Sequence, residues 1–173
     1  SCSPGWIKYC EHFYPELLDH LSTCKSPQQM FGALAKTYYA QKAGIDPEKV
    51  FVVSIMPCTA KKFECQRPEL QNHGLPDVDV VLTTRELGRM FREAGIDFKA
   101  LADEAFDEPL GISTGAGVIF GATGGVMEAA LRTVYEVVTS KELPRLDLEE
   151  VRGLEGVKEA AVDMDGTTVK VAV

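Results

Sequence analysis

Val50-Phe51-Val52-Val53-Ser54-Ile55-Met56-Pro57-Cys58-Thr59-Ala60-Lys61-Lys62-Phe63-Glu64 is the stretch on which the fold turns. Its first six residues are mostly β-branched or aromatic, the composition of a strand buried on both faces of a parallel sheet. Pro57 halts that strand and places Cys58 at its C-terminal end, where open α/β sheets form their ligand crevices. Lys61 follows three residues on, and a cation there favours the thiolate form that binds soft metals. Read alone, the pattern suits equally well a packing cysteine followed by surface lysines.

Working outward, Val78 to Thr83 is a second strand-like run, after which Thr84 is expected to cap a helix over Arg85 to Ala94, closed by Gly95. Upstream, apolar residues at helical spacing predict a helix from Trp6 to Leu21, broken or kinked at Pro15. Ser26-Pro27 reads as N-cap and first turn of another helix, running through Met30, Leu34 and Tyr38 to Gly44. Downstream, a glycine-rich loop over Gly111–Gly125 leads into a helix from about Val126 to Ser140. Ala160 to Met164, Asp165-Gly166 and Thr167 to Val173 read as a hairpin on a tight turn. The class is therefore α/β, with a mainly parallel sheet flanked by helices and a C-terminal β-hairpin at its edge. No repeat or break in composition divides residues 1–173, which read as a single piece.

A length of 173 residues allows one core of ordinary size. A net charge of −8 argues against a nucleic-acid or anionic-membrane surface. No apolar run reaches the roughly 18 residues a membrane helix needs, and no leader precedes the first motif, so a cytoplasmic location is expected. The Ser-Cys start and the apolar end suggest an excised fragment. The five cysteines, Cys2, Cys10, Cys24, Cys58 and Cys65, are odd in number and include no CxxC pair, which favours reduced thiols or cluster ligands over a disulfide framework. Their spacing alone does not reveal a metal site. Cys2 lies in a Pro/Gly turn before a helix and can feel the helix dipole. Cys10, Cys24 and Cys65 read as core or surface thiols, and His12, His20 and His73 have no ligand spacing. The glycine-rich loop lacks the Gly-Lys-Ser/Thr ending of a nucleotide cradle. It is better suited to bringing backbone close to a bulky inorganic cofactor, with Phe120 as an apolar wall.

Four stretches together resemble [FeFe]-hydrogenases, the iron-only hydrogenases, in order along essentially the whole chain. Ser1-Cys2-Ser3-Pro4-Gly5-Trp6 resembles the family's first signature and Met56-Pro57-Cys58-Thr59-Ala60-Lys61-Lys62 its second. Ser26-Pro27-Gln28-Gln29 and Ile119-Phe120-Gly121-Ala122-Thr123-Gly124-Gly125-Val126-Met127-Glu128 resemble its active-site walls. The third signature, a glycine-rich segment with two cysteines, is missing. The resemblance implies part of the iron-only hydrogenase catalytic-domain fold and, in the parent enzyme, a [4Fe-4S] cluster joined to a diiron subcluster, the H-cluster. It assigns Cys58 as a cubane ligand and Lys61 as the cation facing an iron-bound cyanide, an anionic acceptor. Pro27, Gln28, Met56, Pro57 and Phe120 would line the diiron pocket, and Ser22 matches a position in the proton path. The chain departs from the family at its start, where a double cysteine is usual. Aligned without a gap, Cys2 falls on the proton relay and Ser3 on the cubane ligand, although serine is the poorer ligand for iron–sulfur clusters. Either Cys2 takes over ligation, or Ser3 binds weakly, or Ser3 replaces a native cysteine. The implied activity of the parent is reversible reduction of protons to dihydrogen, with electrons exchanged with ferredoxin or NAD(P)-linked subunits through regions outside this chain. The piece alone is expected to lack both the intact cluster and activity. The rival is a hydrogenase-like iron–sulfur protein that serves cluster assembly or hydrogen sensing without turnover.

Overall fold

The computed structural model describes residues 2–112, 114–144, 146 and 148–173. Ser1 of the first motif and Ser113 of the glycine-rich loop lie outside the described residues. The chain forms two compact units, Ser1–Leu110 and Gly111–Val173.

In the first unit, helix α1 spans Pro4–Phe13. Pro at its first position is compatible with a helix start, because the missing N–H would be unpaired there. Pro15 does more than kink the expected long helix. The chain leaves the α-conformation at Tyr14 and continues as a 3-10 turn over Pro15–His20. Helix α2, Pro27–Leu34, passes through a π-helical turn at Ala35–Tyr39 into α3, Ala40–Ala43, and ends at Gly44 in the left-handed conformation, φ 66°. Strand β1, Val53–Ile55, runs parallel to β4, Val80–Leu82, with Val53 opposite Val80. Between them lie α4, Ala60–Glu64, and a minimal antiparallel pair, β2 at Gln71–Asn72 with β3 at Leu75–Pro76. Helix α5, Thr84–Glu93, completes the unit. Its N-cap is Thr83, one residue before the threonine expected, because Glu86 at the third helical position closes a capping box with Thr83.

The core of this unit is Ala35, Val52, Val78 and Val81, with Val50, Met56 and Cys65 packed against it. Gly32 is what lets α2 lie so close, since a Cβ there would fall 2.1 Å from the Asp77 carbonyl oxygen. The register of β1 against β4 is pinned by Asp79, whose carboxylate accepts from the Val52 amide at 2.7 Å and from buried Lys36 at 2.8 Å. The expectation of a strand buried on both faces is corrected. Phe51, Val53 and Ile55 are exposed while Val52 is buried with Ala35, Val78 and Val81, so among the described residues only one face of the strand is covered.

In the second unit, the short helix α6, Ala116–Ile119, interrupts the glycine-rich loop, and α7 spans Gly125–Thr139. Gly125 permits the tight α6–α7 corner, where a Cβ would lie 1.8 Å from the Ile119 carbonyl oxygen. Strands β5, Glu149–Glu150, β6, Lys158–Met164, and β7, Thr167–Ala172, make an antiparallel sheet. The β6–β7 hairpin turns at Asp165 and Gly166, with φ 50° and 93°, as the Asp-Gly pair predicts. The expectation that the hairpin adds to the edge of the parallel sheet is corrected, since its strands belong to this separate sheet. Leu131 and Leu143 pack with Val162 and Met164 beneath it.

Candidate functional site

The C-terminal end of β1 opens into Met56–Thr59 and then α4, which carries Lys61 and Glu64 inward on one side. Both are buried, at 7% and 5% exposure, and pair at 3.2 Å across one helical turn. A buried ion pair needs further hydrogen bonds to offset desolvation, and here they come from three other segments. Ser26 Oγ donates to Glu64 Oε2 at 2.8 Å, and Gln28 Nε2 donates to the same oxygen at 2.6 Å. Lys61 Nζ donates to the Cys2 carbonyl oxygen at 2.8 Å. Ser54 Oγ, on β1, donates to Gln28 Oε1 at 2.8 Å. The network thus joins the first and second cysteine motifs and the Ser26-Pro27-Gln28 segment.

Its polarity follows from those bonds. Gln28 has its oxygen committed to Ser54 and one N–H to Glu64, so its further polar capacity includes an N–H donor. Glu64 is matched by Lys61 and two neutral donors. What the cluster can offer a neighbouring group is donors, which suits an anionic acceptor.

The remaining expected residues fall as follows. Cys58 is half-buried beside α4 and Cys2 is exposed; both are free thiols. Ser3 is the N-cap of α1, its Oγ accepting from the Trp6 amide at 3.3 Å. Pro27 is exposed at the first position of α2, and Pro57 is exposed after the strand. Met56 packs against the valine core. Ser22 is exposed, and its Oγ accepts from the Cys24 amide at 3.2 Å. Phe120 lies in the second unit, 42% exposed. Cys10 is a core thiol at 1% exposure. Cys65 donates to the Lys62 carbonyl, and burial pushes its thiol pKa up, so it stays protonated. Among the described residues, no three His, Cys, Asp or Glu side chains stand together as a metal-holding set. A cavity of about 280 Å³ flanks the network on the side of Pro4, Cys24, Ser26 and Glu64.

Reading the sequence missed Glu64 and Ser54, and it read Ser26 as a side-chain cap and wall residue, whereas its hydroxyl makes no cap bond and donates to Glu64. The Lys61–Glu64 spacing is a recognisable i, i+3 pair, but nothing in it says that the pair is buried. That depends on α2 and the N-terminal turn folding over α4.

A family model described as iron only hydrogenase large subunit, C-terminal domain, matches residues 1–173. The chain belongs to this family. It is 58% identical over 173 residues to the NADP-reducing hydrogenase subunit HndD of Solidesulfovibrio fructosivorans, covering 100% of this chain and 30% of that protein. It is 60% identical to the periplasmic [Fe] hydrogenase large subunit of Nitratidesulfovibrio vulgaris, covering 100% of this chain and 41% of that protein. It is also 36% identical over 168 residues to cytosolic iron-sulfur assembly component 3 of Pongo abelii, covering 87% of this chain and 35% of that protein. Among solved structures, an apo [FeFe]-hydrogenase from Chlamydomonas reinhardtii matches 95% of this chain and 41% of its own at TM-score 0.75 and 50% identity. The chain therefore spans less than half the length of these relatives. Among the described residues, no helix is long and apolar enough to cross a membrane.

Proposed function

We propose that these residues form one wall of the site at which a longer parent enzyme interconverts dihydrogen and protons. The observation that carries this reading is the buried network at the end of β1, which ties the Cys58 turn, Lys61, Gln28 and the Cys2 backbone into one donor-rich surface. Such a surface fits a metal unit bearing anionic ligands, and it fits as a part only. Cys58 and Cys2 supply at most two thiolates, whereas a four-iron cubane takes four ligands. The others would come from elsewhere in the parent. When bound, the H-cluster supplies the redox chemistry and the open iron position for hydrogen.

This chain's residues serve that group in distinct ways. Cys58, as thiolate, would hold cubane iron. Lys61 and Gln28 would direct N–H donors at an anionic diiron ligand, with Pro27, Met56 and Pro57 as its apolar wall. The Cys2 thiol carries the proton between pocket and exterior, with the Ser22 hydroxyl as its next station. The Ser3 hydroxyl caps α1 and is a harder donor than thiolate, so it would be at most a weak cubane ligand. Both compact units belong to one catalytic domain in this reading, supported by a family match that runs through both. Electrons reach the site from a ferredoxin or NAD(P)-linked carrier, the latter being the chemistry named for the Solidesulfovibrio relative. Five cysteines, none of them in a disulfide, support a cytoplasmic, reducing location.

The assembly-factor reading has its own support, the 36% identity to a cytosolic assembly component, against 58% and 60% for the two hydrogenases. The complete protein, matured with its iron–sulfur and diiron units and given a low-potential electron donor, is expected to evolve hydrogen. A matured protein with full iron content and no hydrogen evolution or uptake would favour assembly or sensing instead.

A further inference from the structure

We propose that Glu64 is a positioning residue of the hydrogen site, the single carboxylate that sets the orientation of both Lys61 and Gln28. The proposal rests on the hydrogenase reading above for what those two donors face, but the positioning itself is a property of this chain. Glu64 is 5% exposed and receives three side-chain donors from two helices and the turn before one of them: Ser26, Gln28 and Lys61. Two of the three bonds converge on one oxygen, Oε2, at 2.6 and 2.8 Å. Lys61 is then left to bridge from the carboxylate to the Cys2 carbonyl, which holds the N-terminal turn against α4.

The consequence is geometric. An amide can be placed either way round, and a lysine ammonium can rotate, so neither side chain alone fixes which atoms face the pocket. Glu64 accepts only. It therefore forces the Gln28 NH2 inward toward itself and leaves the Gln28 oxygen for Ser54. It also anchors the ammonium of Lys61 within reach of the Cys2 backbone. A glutamine at position 64 would bring its own N–H pair into a ring of donors and could satisfy only some of them. An alanine would leave a buried ammonium without its counter-charge, and the cost of that is relieved only if Lys61 moves. Partners that orient the groups around a metal are commonly worth 10–100-fold in affinity or activity.

The test uses the complete enzyme in two forms. In crystals of the apoprotein, Glu64→Gln should show Lys61 Nζ withdrawn from the Cys2 carbonyl and the Gln28 amide turned or displaced. Ser54, with its backbone on β1, should stay in place. This arm needs no cluster, so it stands even where the hydrogenase reading fails. In the matured enzyme, Glu64→Gln should retain iron, shift the infrared cyanide stretching bands, and lower kcat roughly 10-fold or more with KM little changed. Glu64→Asp, which keeps the charge, should recover part of both the spectrum and the rate. If Glu64→Gln fails to fold, Glu64→Asp in the apoprotein serves alone, with the same displacement of Lys61 expected to a smaller degree. Lys61 and Gln28 unmoved in the apo variant, or cyanide bands and kcat unchanged at full iron content, would overturn the proposal. Normal displacement in the apoprotein with no diiron uptake by the wild type would instead overturn the hydrogenase reading and leave the positioning role in place.

Discussion

At the scale of single residues, the proposed chemistry is concentrated in Cys58, Lys61 and Cys2, all three of which lie in the motifs that carry the family resemblance. The motif around Met56-Pro57-Cys58 marks the strand end, and its spacing puts a lysine one helical turn away. What the motif does not contain is the carboxylate that pairs with that lysine, and its burial is decided by segments 36 to 59 residues away in the chain. The first motif is legible only in part, for the sequence does not show that the Ser3 hydroxyl accepts from the Trp6 amide. Cys2 has two contrasting roles that one experiment separates. As the proton relay, Cys2→Ala in the complete enzyme should keep its iron and slow turnover on the order of 10²-fold, the usual value of a positioned acid–base group, and Cys2→Asp should recover part of the rate. As a cubane ligand, both variants should lose iron, and Asp should rescue little. Iron analysis and hydrogen evolution on the same preparations give the answer, and the account expects the relay outcome.

Among the elements, α2, α5, α7 and the C-terminal hairpin are legible, because caps, left-handed glycines and an Asp-Gly turn are local signals. The β1 run misleads, since a β-branched strand looks the same whether one face or both are covered. What packs on each face decides. The hairpin's sheet partner is equally invisible to sequence, because β5 has only two residues, Glu149 and Glu150, with no strand pattern of their own. Helix α5 carries a pH-dependent element. Glu86 closes the capping box with Thr83 and pairs with Lys62 on α4 at 2.6 Å, and these donors hold its carboxyl down to about 2. A carboxyl lowered on folding contributes stability above its unfolded pKa, roughly 4.3, and loses it as pH falls through the folded value. Wild-type protein should therefore melt above Glu86→Gln at pH 6, with the difference shrinking between pH of about 4.3 and about 2. Paired melting curves across that range check the expectation. A Tm difference that stays constant down to the acid end would assign the effect to packing.

Seen whole, the molecule is two small cores carrying an unusual amount of open apolar surface, including Phe13, Phe51, Phe98 and Phe106 at 69%, 68%, 67% and 97% exposure. Large exposed apolar area on a folded chain marks surface meant to be covered. It agrees with a chain that spans 30% and 41% of two hydrogenase relatives. The sequence conveys the family from its ordered motifs, yet composition and periodicity gave no sign of the division at Leu110, because no linker-like stretch marks it. Two available thiolates cannot close a four-ligand cluster site, so the isolated chain of residues 1–173, reconstituted with iron and sulfide, should show no hydrogen uptake above background. Measurable uptake would mean that the site is complete within these residues. The most direct test of the central claim is the iron content of the complete enzyme carrying Cys58→Ala, set beside Cys24→Ala and Cys65→Ala. The account predicts loss of cluster iron in Cys58→Ala alone, with the other two indistinguishable from wild type. Full iron in Cys58→Ala, or equal loss in all three, would contradict the placement of the cluster at the end of β1.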